Sequence, residues 1–274
     1  MKFLTYQRAR QVIFALVFFS PLSLSANDPR ATGLPVGTLV DMSYPYNEET
    51  IYWPTEPGFV KDTNFEGTTD KGYYYSAFSV TTAEHGGTHL DAPIHFSEGK
   101  HAVDEIPLQR LMGNAVVIDV QNQVATNSDY QISVADIERW EVENGKIPDG
   151  SIVLFRTGFG QFWPDRKRYL GTAETGAEAV AKLHFPGIGP EAATFLATRR
   201  SIKSVGIDTA SIDYGQSTLF EAHQYLFKAN IPAFENVANL DKLPLTGATV
   251  IALPMKIEGG SGGPLRIVGI LPGR

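Results

Sequence analysis

The stretch Glu84-His85-Gly86-Gly87-Thr88-His89-Leu90-Asp91-Ala92-Pro93-Ile94-His95-Phe96 gathers three of the six histidines of this 274-residue chain. Two glycines, a proline and no apolar residue at helical spacing exclude a helix, so His85 and His89 are not the i, i+4 pair of a zinc-binding helix. In an extended chain, positions 85, 89, 91 and 95 differ by even numbers and project from one face. A flat strand separates residues four apart by ~13 Å, whereas imidazole and carboxylate donors sit ~2.0–2.2 Å from a shared ion. Gly86-Gly87 supplies a bulge or turn that shortens the span, and Asp91 is placed to join the same ion or to bridge two. The chain has no Cys, so a metal here is held by nitrogen and oxygen, which suits Zn²⁺ or Mn²⁺. The competing reading is a hydrogen-bonded polar turn; His101 and His184, standing alone, read as structural.

Working outward, short β-branched runs predict strands at 38–42, 115–120, 151–155, 202–207, 248–253 and 265–271. Several are apolar throughout, as in strands covered on both faces. Ser133 predicts a helix cap with Asp136 at the capping-box position, Ile137 and Trp140 facing inward and Gly145 as the stop. Pro190 predicts the first turn of a helix over 190–200. A third helix over 218–229 places Leu219, His223, Leu226 and Phe227 on one face. Strands and helices alternate through the chain, so the fold class is α/β. No linker, repeat or low-complexity tract interrupts 27–274, which reads as one domain.

Residues 1–26 read as a signal peptide: Lys2, Arg8 and Arg10 precede an apolar core over 12–19, and Ser23-Leu24-Ser25-Ala26 supplies small residues for cleavage. The apolar run is shorter than the ~20 residues of a membrane span. The expectation is an exported, periplasmic or extracellular protein with no membrane attachment after cleavage. Losing these three basic residues takes the formal charge from −7 to about −10, a surface that repels phosphate backbones and excludes nucleic acid as a partner.

The string from His85 to Phe96 matches every constant position of a His-x-Gly-Thr-His-x-Asp-x-Pro-x-His signature, and so resembles the metal-dependent cyclase-type amidohydrolases, which include bacterial kynurenine formamidases and isatin hydrolases. Val116-Val117-Ile118-Asp119, His184-Phe185-Pro186-Gly187, Gly206-Ile207-Asp208-Thr209 with Ser211-Ile212-Asp213, and Gly262-Gly263-Pro264-Leu265-Arg266 extend the resemblance along the chain. It implies a mixed-sheet, swivelling-type β/β/α single domain. It also implies a second pair of ligands, a histidine followed twelve residues later by a glutamate, at His223 and Glu235. By resemblance His85, His89 and Asp91 hold one ion, Asp91, His223 and Glu235 hold or complete a second, and His95 is the catalytic acid/base. Asn230 stands where relatives often have a turn glycine, and Asn tolerates the left-handed backbone. Glu221 is the competing ligand, disfavoured because i, i+2 side chains diverge on a helix.

Such a site activates water at neutral pH and polarises a carbonyl, with His95 accepting the water's proton and returning it to a departing amine. The resemblance narrows the substrate to an aryl formamide or a cyclic amide, and implies a homodimer or homotetramer. A lactonase, cyclase or dehydratase, or a non-catalytic periplasmic metal- or metabolite-binding protein, is the alternative. Trp53, Phe59 and Tyr73-Tyr74-Tyr75, carried by a flexible loop from Gly58 to Gly72, are either an aromatic wall for the substrate or core and interface residues. Gly259-Gly260-Ser261-Gly262-Gly263 satisfies Gly-x-Ser-x-Gly in letters only, since Pro264 and an apolar strand follow where a nucleophile elbow needs a helix; it reads as a turn. Asp119, Asp208 and Asp213, at strand ends, are either acid/base groups or, the favoured reading, turn-forming and capping groups.

Overall fold

A computed structural model describes residues 37–273; the signal-peptide reading of 1–26 lies outside the described residues. Twelve strands are described: β1 (Leu39–Asp41), β2 (Val60–Thr68), β3 (Tyr74–Thr81), β4 (His89–Asp91), β5 (Met112–Asp119), β6 (Gln131–Ile132), β7 (Ile152–Arg156), β8 (Gly187–Ile188), β9 (Ser204–Ile207), β10 (Ala233–Glu235), β11 (Thr249–Pro254) and β12 (Gly262–Ile270). The main sheet runs β1-β12-β11-β5-β7-β9-β10-β4, and β4 pairs back onto β12, so seven strands close into a barrel with β1 attached outside the ring. Strands β5, β7, β9 and β10 are parallel, and the rest of the ring is antiparallel. The result is the mixed-sheet α/β domain expected.

The parallel strands bury both faces, which is why they read as continuous apolar runs. Ala115, Val117, Ile152 and Leu154 point into one core with Phe234, Val250 and Ile267. Val116, Ile118, Val153 and Phe155, one position out of phase, meet the helices through Ile137, Trp140, Leu196 and Phe227. The first helix spans Val134–Asn144 as its signals predict. Ser133 Oγ accepts from Asp136 N at 3.3 Å, Asp136 Oδ2 accepts from Ser133 N at 2.9 Å, and Gly145 ends it at φ 87°. The second, Pro190–Arg199, starts at its proline.

Two expectations need correction. The third helix is Glu221–Lys228; Leu219 precedes it and is 63% exposed, because Phe220 takes a left-handed conformation (φ 51°) that cannot continue a helix N-terminally. The segment over 58–72 is no loop, since most of it is strand β2, paired with β3 in a two-stranded ribbon separate from the ring.

Candidate metal centre

Strand β4 is three residues long and fully buried, and it carries the site. Period 2 puts His89 and Asp91 on one face. On one side Glu235 of β10 lies directly opposite His89; on the other, Pro264 of β12 faces His89 and Gly262 faces Asp91. Antiparallel pairing therefore brings a C-terminal glutamate beside an N-terminal histidine without any loop contact. The span from His85 to His89 is shortened as anticipated: Gly87 adopts φ 57°, and the two rings come within 5.5 Å, centroid to centroid. His223 enters from the first turn of its helix, which Asp213 caps by accepting from Ala222 N at 3.0 Å and His223 N at 3.1 Å.

Two triads converge on a shared carboxylate, His85–His89–Asp91 and Asp91–His223–Glu235, with donor atoms in each within 4.8 Å of one another. Glu235, and not Glu221, completes the second. Each imidazole has one nitrogen turned away from the cluster and bonded to an oxygen: His89 Nδ1 to Gly87 O (3.0 Å), His223 Nδ1 to Asp213 Oδ2 (2.6 Å) and His85 Nε2 to Ser261 Oγ (2.9 Å). A carbonyl or carboxylate can only accept, so the outer nitrogens of His89 and His223 carry a proton, and in the neutral rings the inner nitrogens present lone pairs.

Those lone pairs face acceptors. His89 Nε2 is buried and makes no hydrogen bond, although Asp91 Oδ1 is 3.0 Å away and Glu235 Oε2 3.5 Å away. His223 Nε2 lies within hydrogen-bond distance of Asp91 Oδ2 at 3.1 Å and faces Glu235 Oε1 at 3.2 Å. Nitrogens this close to acceptors need a cation between them, a proton or a metal ion, and the two buried carboxylates carry the charge a divalent ion cancels. Without a metal, protons on His89 and His223 meet the same demand for positive charge. Against the cost of burial, Asp91 and Glu235 hold His89 up to about 9, and His223 is raised by Asp213, Asp91 and Glu235. Burial and the charge of Asp91 push Glu235 up, whereas the surrounding histidines hold Asp91 well below the usual carboxylate range despite its burial. The donor set fits a divalent metal.

His95 belongs to no triad. Its ring stacks on His85 at 3.9 Å and 17°, and among the described residues it makes no side-chain hydrogen bond to protein. Burial, reinforced by His85, His223 and His89 against the pull of Asp91, lowers it to about 4, so it is neutral at pH 7. The cluster floors a cavity of about 220 Å³ walled by Trp53, Phe96 and Phe220, room for a compact ring. Trp53 thus lines the cavity as one reading of the aromatics had it. Phe59 instead packs on Tyr46, and Tyr73, Tyr74 and Tyr75 stand exposed on the ribbon.

Residues that pattern reading missed surround the ligands. Asp213 does cap a helix, as its turn reading holds, but its Oδ2 also orients His223. Asn236, at φ 51°, donates from Nδ2 to Gly87 O and accepts at its backbone O from Thr88 Oγ1, tying the signature to β10. Asp208 and Asp119 act as turn and pairing groups, on Thr157 and Gly158 and on Arg156 respectively. Outside the cluster, His184 pairs with Asp129, and Asn230 adopts φ 55° and accepts from His101 N.

A seven-stranded mixed barrel carries at its seam two histidine–carboxylate triads that could each hold a metal ion. The chain belongs to the Cyclase family, whose model matches residues 40–214, and it is a hydrolase of that family. It is 34% identical to isatin hydrolase from Roseibium aggregatum over 209 residues, 73% of this chain and 77% of that one. It is 29% identical to kynurenine formamidase from Bacillus cereus over 230 residues, 84% of this chain and 95% of that one. Isatin hydrolase A from Labrenzia aggregata, solved with benzyl benzoate, superposes with TM-score 0.77 at 32% identity, covering 86% of this chain and 94% of its own.

Proposed function

We propose that this chain is an exported metal-dependent amidohydrolase that cleaves the amide C–N bond of an aryl formamide or a cyclic amide. His85, His89, Asp91, His223 and Glu235 are its metal ligands and His95 is its acid/base. The observation that carries the reading is the unbonded His89 Nε2 facing two carboxylates, beside a neutral imidazole that belongs to no triad. A divalent ion at the cluster, Zn²⁺ or Mn²⁺ by its imidazole and carboxylate donors, supplies a nucleophilic water and Lewis acidity at neutral pH. His95, neutral and free of protein hydrogen bonds, accepts a proton at a ring nitrogen open to the cavity and returns it to the leaving amine. That second role separates a hydrolase from a metal-binding protein, which needs ligands alone. Trp53, Phe96 and Phe220 give an aryl substrate an apolar, stackable wall and exclude water from the carbonyl. The relatives named isatin hydrolase and kynurenine formamidase support a cyclic amide and an aryl formamide respectively.

The experiment is a screen of N-formylkynurenine, isatin, cyclic imides and aryl lactones with EDTA-stripped protein reloaded with Zn²⁺ or Mn²⁺. Metal-dependent ring opening or formate release is expected from an amide. Turnover confined to lactones, or equal with and without metal, would overturn the reading.

We infer also that the protein is a homodimer or homotetramer. The β2–β3 ribbon exposes Val60, Phe65, Tyr73, Tyr74 and Val80, more apolar surface than an isolated two-stranded hairpin keeps in water.

A further inference from the structure

The glycine-rich turn over 259–263, which contains no nucleophile elbow, borders the ligands. Its Ser261 O accepts from Ala92 N at 2.8 Å, just past the end of β4, and Gly262 pairs with Asp91. A Cβ on Gly262 would lie 2.6 Å from His85 Cε1, so only glycine lets the turn approach that ring so closely. The approach delivers Ser261 Oγ to 2.9 Å from His85 Nε2. Glu84 Oε2 then accepts from Ser261 Oγ at 2.5 Å and from Ser261 N at 3.0 Å.

We propose that Glu84 and Ser261 are positioning residues that set the tautomer of His85 and so make its Nδ1 a metal ligand. The deduction follows the protons. A serine hydroxyl has one hydrogen, and at 2.5 Å the Glu84 carboxylate takes it. Ser261 Oγ is left with lone pairs only, so His85 Nε2 must donate to it. In the neutral ring His85 Nδ1 then carries a lone pair 2.6 Å from Asp91 Oδ1, a contact that holds only with a metal ion or a second proton between them. His89 and His223 have outer partners that can only accept, a carbonyl and a carboxylate. His85 has a hydroxyl, which alone could turn either way, and Glu84 removes that choice. At 4.0 Å from His85 Nε2, Glu84 acts through Ser261 and not directly.

The inference rests on the metal reading above, and the test separates the two. Full-length protein is stripped with EDTA, and Zn²⁺ affinity is measured by competition with a chromophoric chelator. Ser261→Ala and Glu84→Gln each weaken binding by about 10- to 100-fold, while Ser261→Thr, which keeps the hydroxyl, stays close to wild type. In the metal-free protein, ¹⁵N spectra of the neutral His85 ring show its proton on Nε2, and Glu84→Gln converts it to a mixture of tautomers, a change that a merely structural glutamate would not produce. Should Ser261→Ala fail to fold, Glu84→Gln carries the test. Wild-type affinity with an unmixed His85 tautomer in Glu84→Gln overturns the proposal and leaves the metal reading standing. Wild-type protein that takes up no Zn²⁺ overturns both.

Discussion

Replacing Asp213 separates its two tasks, since its oxygens serve a helix and a ligand at once. Asp213→Ala removes the cap on Ala222 N, worth ~1 kcal/mol, and the charge-assisted bond to His223 Nδ1 at 2.6 Å, worth about 1.5–3 kcal/mol. The metal-free protein should lose about 3 kcal/mol of stability. Asp213→Asn behaves differently. With the amide oxygen in the place of Oδ1, Asn keeps the cap on Ala222 N, but the amide nitrogen takes the place of Oδ2, loses the bond from His223 N at a cost of about 1 kcal/mol, and donates to His223 Nδ1. The ring proton then moves to Nε2, where it points at Asp91 Oδ2 and Glu235 Oε1, 3.1 and 3.2 Å away, and occupies the direction a metal needs. Zn²⁺ affinity should fall at least as far as the 10- to 100-fold typical of lost outer partners. The assays are urea denaturation in EDTA and chelator competition on both variants. An Asp213→Asn protein that binds Zn²⁺ as tightly as wild type would refute the tautomer argument, whatever its stability.

His95→Ala should retain stoichiometric metal by elemental analysis and lose hydrolysis by ~10²-fold or more; full activity would remove this residue from the chemistry. Asp136, which accepts from Tyr130, Ser133, Gln123 and Arg139, is held below the ordinary carboxylate value against its burial by these donors, Tyr130 first. A depressed folded-state value contributes stability that is complete above the unfolded value near 3.8 and fades as pH falls through the folded one. Asp136→Ala should therefore cost about 3 kcal/mol at pH 7 and progressively less below pH 4, and a pH-independent difference would contradict this. Replacing Tyr74 and Val80 with Ser should shift sedimentation toward the monomer, whereas an unchanged oligomer would show that the ribbon is not the contact.

Five of the seven ring strands, β5, β7, β9, β11 and β12, were legible as β-branched apolar runs, and the first two helices because their caps and prolines are local signals. Of the five proposed ligands, His85, His89 and Asp91 were legible from their even spacing beside Gly86-Gly87, and His223 and Glu235 only through the resemblance. Nothing in periodicity links residue 89 to residue 235, and β4 and β10, three residues each, are too short to show alternation. The ribbon was misread as a loop because its Thr, Asp and Gly content resembles a linker, while its strands are exposed on nearly every residue and so show no buried face. Asp213, Ser261 and Glu84 escaped for a common reason: each acts through a partner far away in the chain, and turn chemistry already accounts for the letters.

Closure of the ring at β4 has a consequence for how the protein comes into being. Thr88 bonds Asn236 across 148 residues, and the neighbouring β12 begins only at Gly262. A nascent chain still missing that strand leaves the cluster open along one edge, so the proposed metal site is complete only once β12 has been made. Contacts this remote also make assembly slow, and a cation clasped at the seam would then act as a bolt against reopening.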